Sequence, residues 1–173
     1  MTDIIFEYKE LLASKLEIEK KLSVLPKGYI SKKTIGGRQY LYFQTRNGDT
    51  VESKYIKAKE AEEITSQLFF RKEYEADLPK ILIRIADIET AAELLDKALL
   101  RKLKLLKLTS GMDSITADEK EKRISFSDAM TSIEGVSVSD KVKNDLANWK
   151  NGNTTFLSVF EQTLRRYGFV TEE

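Results

Sequence analysis

The chain has 173 residues, with 29 lysine and arginine residues, 28 acidic residues and neither cysteine nor histidine. Without these two residue types it cannot form a thiolate or imidazole metal site, a cysteine nucleophile or a Ser-His-Asp relay. We therefore expect a binding protein and not an enzyme, with no cofactor and no metal. Because there is no disulfide framework and no signal-peptide pattern, we also expect a cytoplasmic protein.

The first predicted element is a helix over residues 3–25. Its apolar side chains recur at intervals of three and four residues, which places them on one face of a helix. They are Ile4, Tyr8, Leu11, Ile18, Leu22 and Leu25. Pro26 and Gly28 follow directly and indicate that the helix ends there.

A small sheet is predicted next, because short runs of aromatic and β-branched residues begin at Tyr29. The dipeptides Gly36-Gly37 and Asn47-Gly48 separate these runs, and both suit tight hairpin turns. The pattern predicts a three-stranded antiparallel meander, with strands at 29–35, 38–46 and 50–56. A meander of this size needs helices to cover one of its faces.

Two helical segments follow, at residues 57–77 and 80–108, with Pro79 between them. The second repeats apolar residues in a near-heptad seam. They are Ile81, Ile85, Ile88, Ala92, Leu95, Leu99 and Leu106. We expect the seam to pack within the chain, with a homo-oligomeric coiled coil as the alternative. The fold class is therefore α+β and mostly α: a helical hairpin or bundle with a small sheet and a C-terminal helical tail. The predicted domains are 1–108 and 112–173.

Short helices are predicted in the second domain. One covers Phe126 to Glu134, one starts at Ser139 or Asp140, and one starts at Thr154 or Thr155. Acidic residues that could hold Mg²⁺ precede them, but they alternate with basic residues as on a solvated helix. These acids are Asp113, Asp118, Glu119 and Glu121.

Positive charge is concentrated in the predicted sheet. Residues 27–57 contain seven basic and two acidic residues, whereas residues 112–173 contain eight basic and eleven acidic residues. Because side chains alternate along a strand, Arg38, Tyr40, Tyr42, Gln44 and Arg46 share one face. Basic residues attract phosphates and tyrosines stack on bases. The nucleic-acid-binding candidates are Lys32, Lys33, Arg38, Tyr40, Tyr42, Arg46 and Lys54, although an ordinary edge-protected sheet remains the alternative.

Four motifs in this region resemble a widespread, poorly characterised bacterial family. They are LPKG at 25–28, the lysine pair at 32–33, YLYF at 40–43 and SKYI at 53–56. Members of that family often lie near toxin and mobile-element genes, so the resemblance implies a bacterial or phage-encoded protein. The order of a three-stranded sheet followed by a helix also resembles the N-terminal DNA-binding domain of phage-type integrases.

A second pattern lies in the C-terminal domain, where Ile133-Glu134-Gly135 precedes Ser139-Asp140, Trp149 and Gly152. It resembles the VbhA-like antitoxins, which inhibit Fic-type AMP transferases. The resemblance implies that Glu134 pairs with a toxin arginine that otherwise holds the γ-phosphate of ATP. Met130 stands where that family has Ser or Thr. The partner-binding candidates are Glu134, Gly135, Ser139 and Trp149; the alternative is that Glu134 is a solvated acid before a glycine helix cap.

These observations support two main functional hypotheses. The first is a non-catalytic antitoxin or inhibitor whose C-terminal helices engage a protein partner, such as a toxin or a nucleotide-using enzyme. The second is a DNA- or RNA-binding regulator that uses the basic face of the sheet. A coiled-coil adaptor would rest on the long apolar seam alone.

Overall fold

The computed structural model describes residues 3–169 and confirms the predicted fold class. The described α-helices and β-strands are, in order, α1 (Ile4–Val24), β1 (Tyr29–Ile35), β2 (Arg38–Asn47), β3 (Thr50–Ile56), α2 (Ala58–Leu95), α3 (Lys97–Thr109), α4 (Ala117–Ile133), α5 (Asp140–Lys150) and α6 (Phe156–Arg166), with a short 3-10 helix (Met112–Ser114) before α4. Within residues 3–169, no helix combines the length and the apolar character needed to cross a membrane.

Contacts divide the chain into two compact units, one ending at Thr90 and the other beginning at Ala91. This division lies upstream of the domain boundary predicted at residues 108–112. The reason is that α3, which the sequence places in the first domain, contacts α6 in the second unit.

In the first unit, α1 and α2 lie side by side in opposite directions, and the sheet connects them in sequence. Near the start of α1, the Tyr8 hydroxyl donates a hydrogen bond of 2.5 Å to Glu89 Oε1. Near its end, Arg71 Nη1 donates to the carbonyl oxygens of Leu22 and Leu25, at 3.0 and 2.8 Å. Tyr8 is completely buried, and this burial, together with the Glu89 carboxylate, raises its pKa well above the usual value.

The predicted helix break at Pro79 is wrong, because α2 continues through it. A proline inside a helix removes one backbone N–H donor and costs about 3 kcal/mol, which tertiary contacts can offset. Such contacts lie on both sides of Pro79. Lys21 Nζ is 5.1 Å from the Tyr74 ring centroid, and Arg84 Nε is 2.7 Å from Glu7 Oε1.

The predicted continuous helix over 80–108 is also wrong. Asp96 has extended backbone angles between α2 and α3, and its side chain accepts hydrogen bonds from the backbone N–H groups of Ala98 and Leu99. An aspartate at this position begins a new helix by satisfying N–H groups that lack helical partners. Leu95, a member of the predicted seam, is 85% exposed at the interruption.

The predicted meander is confirmed, and the sheet order is β1-β2-β3. Pairing of Ile35 with Arg38 leaves a two-residue loop, Gly36-Gly37, in which both residues have positive φ. This is the backbone of a type I′ hairpin turn. The second loop differs by one residue from the prediction, because pairing of Asn47 with Thr50 leaves Gly48 and Asp49 between the strands.

The back face of the sheet carries apolar side chains. Cross-strand partners in an antiparallel sheet lie on the same face, and Leu41 pairs with Ile56 while Ile30 pairs with Phe43. Ile56 is only 2% exposed. The back face therefore contributes to the core of the first unit.

Gly28, the last residue of the LPKG motif, lies against β2. A Cβ atom at this position would be 2.3 Å from the carbonyl oxygen of Gln44 and 2.8 Å from the Phe43 ring. Because neither backbone nor a packed ring can move away freely, we expect Gly28→Ala to lower the free energy of unfolding by about 3 kcal/mol. Urea denaturation of the purified variant measures this change.

Gly48→Ala is the matched control for this substitution. Gly48 also has positive φ, but a Cβ atom there would meet nothing within 4 Å. Its cost is therefore limited to backbone strain of roughly 1 kcal/mol. A smaller loss for Gly28→Ala than for Gly48→Ala would show that the close approach is unimportant.

In the second unit, α4 begins earlier than the predicted start at Phe126. Glu119 N donates to the Thr116 hydroxyl at 3.3 Å, and Glu119 Oε2 accepts from Thr116 N at 2.9 Å. This is a capping box, which satisfies two backbone N–H groups at the helix start. The hydrogen bonds from Thr116 also lower the pKa of Glu119. The helices pack with α5 in contact with both α4 and α6.

Candidate functional site

The front face of the sheet is the side that carries Tyr42, opposite the back face with Leu41, Phe43 and Ile56. Strand register assigns its members, because directly paired residues lie on one face. They are Tyr29, Ser31, Lys33, Ile35, Arg38, Tyr40, Tyr42, Gln44, Arg46, Val51, Ser53 and Tyr55. The set contains four tyrosines and three basic residues but no acidic residue.

The predicted nucleic-acid-binding residues divide between the two faces. Lys33, Arg38, Tyr40, Tyr42 and Arg46 all lie on the front face. The structure therefore brings five of the seven candidates together.

Lys32 and Lys54 do not belong to this group. They pair with Leu41 and Phe43, so they lie on the back face. Lys54 Nζ is also 3.6 Å from Glu60 Oε1. The sequence already indicates this division. Side chains alternate along a strand, so Lys32 must lie on the opposite face from Lys33, and Lys54 on the opposite face from Tyr55.

The tyrosines of the front face form a contact cluster. The ring centroid of Tyr55 lies 6.1 Å from that of Tyr40 and 5.9 Å from that of Tyr42, in edge-to-face arrangements. Lys33 Nζ lies 4.7 Å from the Tyr42 ring centroid. Tyr55 and Tyr29 are 52% and 57% exposed. These contacts hold the tyrosine rings in place, and parts of the rings still face solvent.

The front face is also positively charged. Lys33, Arg38 and Arg46 are exposed, and Arg46 Nε donates a hydrogen bond of 3.3 Å to the carbonyl oxygen of Gly48, which holds its guanidinium at one end of the sheet. Basic side chains attract phosphates, and exposed aromatic rings stack on bases. The arrangement provides both interactions on a single surface.

The fold and this face together define a mostly helical α+β protein that displays a basic, tyrosine-rich sheet surface. The model of a family described as a domain of unknown function (DUF6788) matches residues 8–66. The matched segment contains most of α1, the whole sheet and the start of α2. Comparisons with curated proteins and with solved structures give no match.

The partner-binding candidates of the second unit lie mainly at the α4–α5 connection. Glu134 is the C-terminal cap of α4, and Gly135 follows it with a φ of 73°. Ser139 precedes α5 as its N-cap residue, without a side-chain hydrogen bond to that helix. All three are exposed. The structure therefore groups these three residues at the surface.

Trp149 does not share that surface, since it is completely buried. Its ring centroid is 4.7 Å from that of Phe156, and its Nε1 donates to Asp113 Oδ1 at 2.8 Å. The same carboxylate oxygen accepts from the backbone N–H of Phe156, also at 2.8 Å. Trp149 is a packing residue that joins α5 to α6 and to the segment before α4.

Lys120 also packs against Trp149, and the sequence did not indicate this contact. It is 8% exposed, its Nζ lies 5.0 Å from the Trp149 ring centroid, and it donates to the Trp149 carbonyl oxygen at 3.3 Å. A positive charge at the C-terminal end of a helix is favourable, and here the helix is α5. The prediction that the whole charged run is solvated is therefore wrong for Lys120.

Three of the four acids considered for Mg²⁺ have other interactions. Glu119 belongs to the capping box, Asp113 binds Trp149, and Glu121 Oε2 is 3.0 Å from Lys150 Nζ. Among residues 3–169, no group of three acidic side chains is arranged to hold a metal ion.

An apolar stripe on α4 runs toward Glu134. Phe126, Met130 and Ile133 are 69%, 43% and 79% exposed, and their spacing of four and three residues places them on one side of the helix. Val136, just beyond the helix, is 57% exposed. Glu134 is thus an exposed acid beside exposed apolar side chains.

Proposed function

We propose that the front face of the sheet binds nucleic acid. The observation that carries this proposal is the sharing of one face by four tyrosines and three basic residues with no acidic residue. Basic side chains supply the phosphate attraction, and the tyrosines supply stacking surfaces that accept any base. Both contributions are needed to bind along a nucleic-acid strand independently of its base sequence.

The separation of charges between the two faces supports the same proposal. Glu52 lies on the back face, where Lys54 has Glu60 as an ion partner. An ordinary solvated sheet mixes both signs of charge on its exposed side. The absence of acids from the front face instead favours an anionic ligand.

The motifs at residues 25–56 contribute directly to this surface, which supports the view that they belong to one functional domain. Gly28 of LPKG permits the close approach to β2, and Lys33 of the lysine pair lies on the front face. In SKYI, Ser53 and Tyr55 lie on the front face while Ile56 is buried. We infer that the bacterial or phage-encoded family with these motifs is a family of DNA- or RNA-binding regulators.

Substitution of Tyr42 tests the stacking contribution. We expect Tyr42→Ala to weaken binding of a fluorescein-labelled single-stranded oligonucleotide about tenfold, since one base–aromatic stack contributes about 1 to 3 kcal/mol. Tyr42→Phe keeps the ring and should bind within about twofold of the unmodified protein. Fluorescence anisotropy at low salt measures both. Equal affinities for the alanine and phenylalanine variants would contradict a stacking role.

The second candidate function is inhibition of a protein partner through Glu134. The specific observation in its favour is the position of an exposed carboxylate at the end of α4, next to the exposed apolar stripe. A carboxylate in such a place can receive two hydrogen bonds from an arginine guanidinium. If that arginine serves ATP binding in the partner, nucleotide use is blocked.

Glu134→Gly and Glu134→Gln test this second function in cells that coexpress the product of the neighbouring gene. Both variants remove the charge without removing buried packing, so we expect inhibition to be lost while the fold remains. Loss of a charge-assisted pair in an interface costs about 2 to 5 kcal/mol. Asp118→Asn, an exposed acid at the start of α4, is the matched control. Unchanged growth protection by both Glu134 variants would refute the inhibitory carboxylate.

A further inference from the structure

A cleft in the first unit lies between the start of β1 and one side of α2. Its volume is about 640 Å³, which is within the usual range for a small-molecule or nucleotide site. Lys27, Gly28, Tyr29 and Ile30 line it from the sheet side. From α2 it is lined by Thr65, Leu68, Phe69, Arg71, Lys72 and Glu75.

The charged residues of this cleft leave an excess of positive charge. Arg71 donates to the end of α1, and its Nε is 2.8 Å from Glu75 Oε1, so these two charges compensate each other. Lys27 and Lys72 also line the cleft. The cleft can therefore take an anionic group at its rim.

The aromatic residues of the cleft suit a planar ligand. Tyr29 and Phe69 line it and are 57% and 60% exposed, with Leu68 and Ile30 completing an apolar surface. A nucleotide combines the two matching parts, because its base stacks on aromatic rings and its phosphate binds basic side chains.

We propose that the cleft receives an unpaired base of a single-stranded nucleic acid, with the adjacent phosphate on Lys27 and Lys72. The proposal rests on nucleic-acid binding by the front face. Tyr29 connects the two surfaces, since it pairs with Gln44 on the front face and also lines the cleft. Ile30, the next residue, lies on the back face, and β1 is an edge strand of the sheet. A nucleic-acid strand on the front face would therefore reach the cleft by passing around this edge at Tyr29. A duplex keeps its bases paired and cannot fill it, so the protein selects single strands.

The test compares the affinity of the full chain for one oligonucleotide as a single strand and as a duplex, in DNA and in RNA. We expect the single strand to bind at least about tenfold more tightly, since one stacked base is gained. Phe69→Ala and Lys72→Ala should each lower single-strand affinity, Phe69→Ala about tenfold, and leave duplex affinity unchanged. The exposed Lys9 of α1 lines neither surface, so Lys9→Ala should change nothing.

Photocrosslinking with 5-iodouracil in the single strand locates the contact independently. We expect a crosslink to the peptide that contains Phe69, in addition to those of the front face, which include Tyr29. Equal single-strand and duplex affinities, or crosslinks confined to the four front-face tyrosines with none at Phe69, would overturn the cleft proposal while front-face binding stands. No binding of either form at low salt would overturn both.

Discussion

Replacement of Trp149 by alanine is expected to unfold the helices of the second unit. Trp149 is completely buried and contacts Phe156, Asp113 and Lys120. Removing a buried aromatic side chain of this size costs about 3 to 5 kcal/mol. In this variant Lys120 stays buried but loses the aromatic ring next to its amino group. The loss of unfolding free energy should therefore lie toward the upper end of this range. This is comparable with the whole stability of a small domain.

Hydrogen exchange followed by mass spectrometry measures this effect, because it reports on α4, α5 and α6 separately. We expect these helices to lose protection in Trp149→Ala, while the strands of the sheet keep theirs. Trp149→Phe retains the packing against Phe156 but loses the hydrogen-bond donor to Asp113. We therefore expect its free energy of unfolding to fall by about 1 to 3 kcal/mol. Phe126→Ala, at a residue that is 69% exposed, is the control. Unchanged protection in Trp149→Ala would contradict the structural role of this cluster.

Removal of the three basic side chains of the front face should have the largest effect on nucleic-acid binding. In the variant with Lys33, Arg38 and Arg46 all changed to alanine, we expect affinity at low salt to fall roughly a hundredfold, because phosphate attraction is lost. All three residues are exposed, and the cation–π contact of Lys33 contributes only about 0.5 to 1 kcal/mol. Thermal denaturation should therefore be little changed.

The back face supplies the matched control for this variant. Lys32→Ala/Lys54→Ala removes two basic residues from the same sheet, on the side that carries Phe43 and Ile56. If the front face is the binding surface, this double variant should keep nearly full affinity. Equal losses from the two variants would mean that net charge alone, and not one face, determines binding.

The sheet could be predicted from the sequence because its determinants are local. Gly36 and Gly37 supply the positive φ that a two-residue hairpin turn requires, and the strand register follows from that loop. The composition of the front face also follows, since it depends only on alternation. Lys32 and Lys54 are the exception, because their face depends on the register that pairs them with Leu41 and Phe43 of β2.

The helix boundaries could not be predicted so well, because they depend on tertiary contacts. Pro79 reads as a break in isolation, yet contacts with α1 on both sides accompany a continuous α2. The interruption at Asp96 depends on a side-chain cap that competes with an uninterrupted apolar pattern.

The interior of the second unit shows the same limit. Asp113, Lys120 and Trp149 are distant in sequence, and only the packing of the short helices brings them together. A lysine in an alternating charged run carries no local sign of burial. Glu134 and Gly135, by contrast, occupy the helix end that the sequence indicated, because a glycine cap is a local signal.

The most direct test of nucleic-acid binding by the front face is the binding constant of the unmodified protein for a single-stranded oligonucleotide across a series of salt concentrations. Neutralisation of phosphates releases condensed counterions, so the logarithm of the constant falls linearly with the logarithm of salt concentration. The three basic residues of the front face, at about −0.7 per neutralised phosphate, give a slope near −2, and a further phosphate on Lys27 and Lys72 would make it about −3. Absence of binding at low salt, or a binding constant that does not change with salt, would contradict the account.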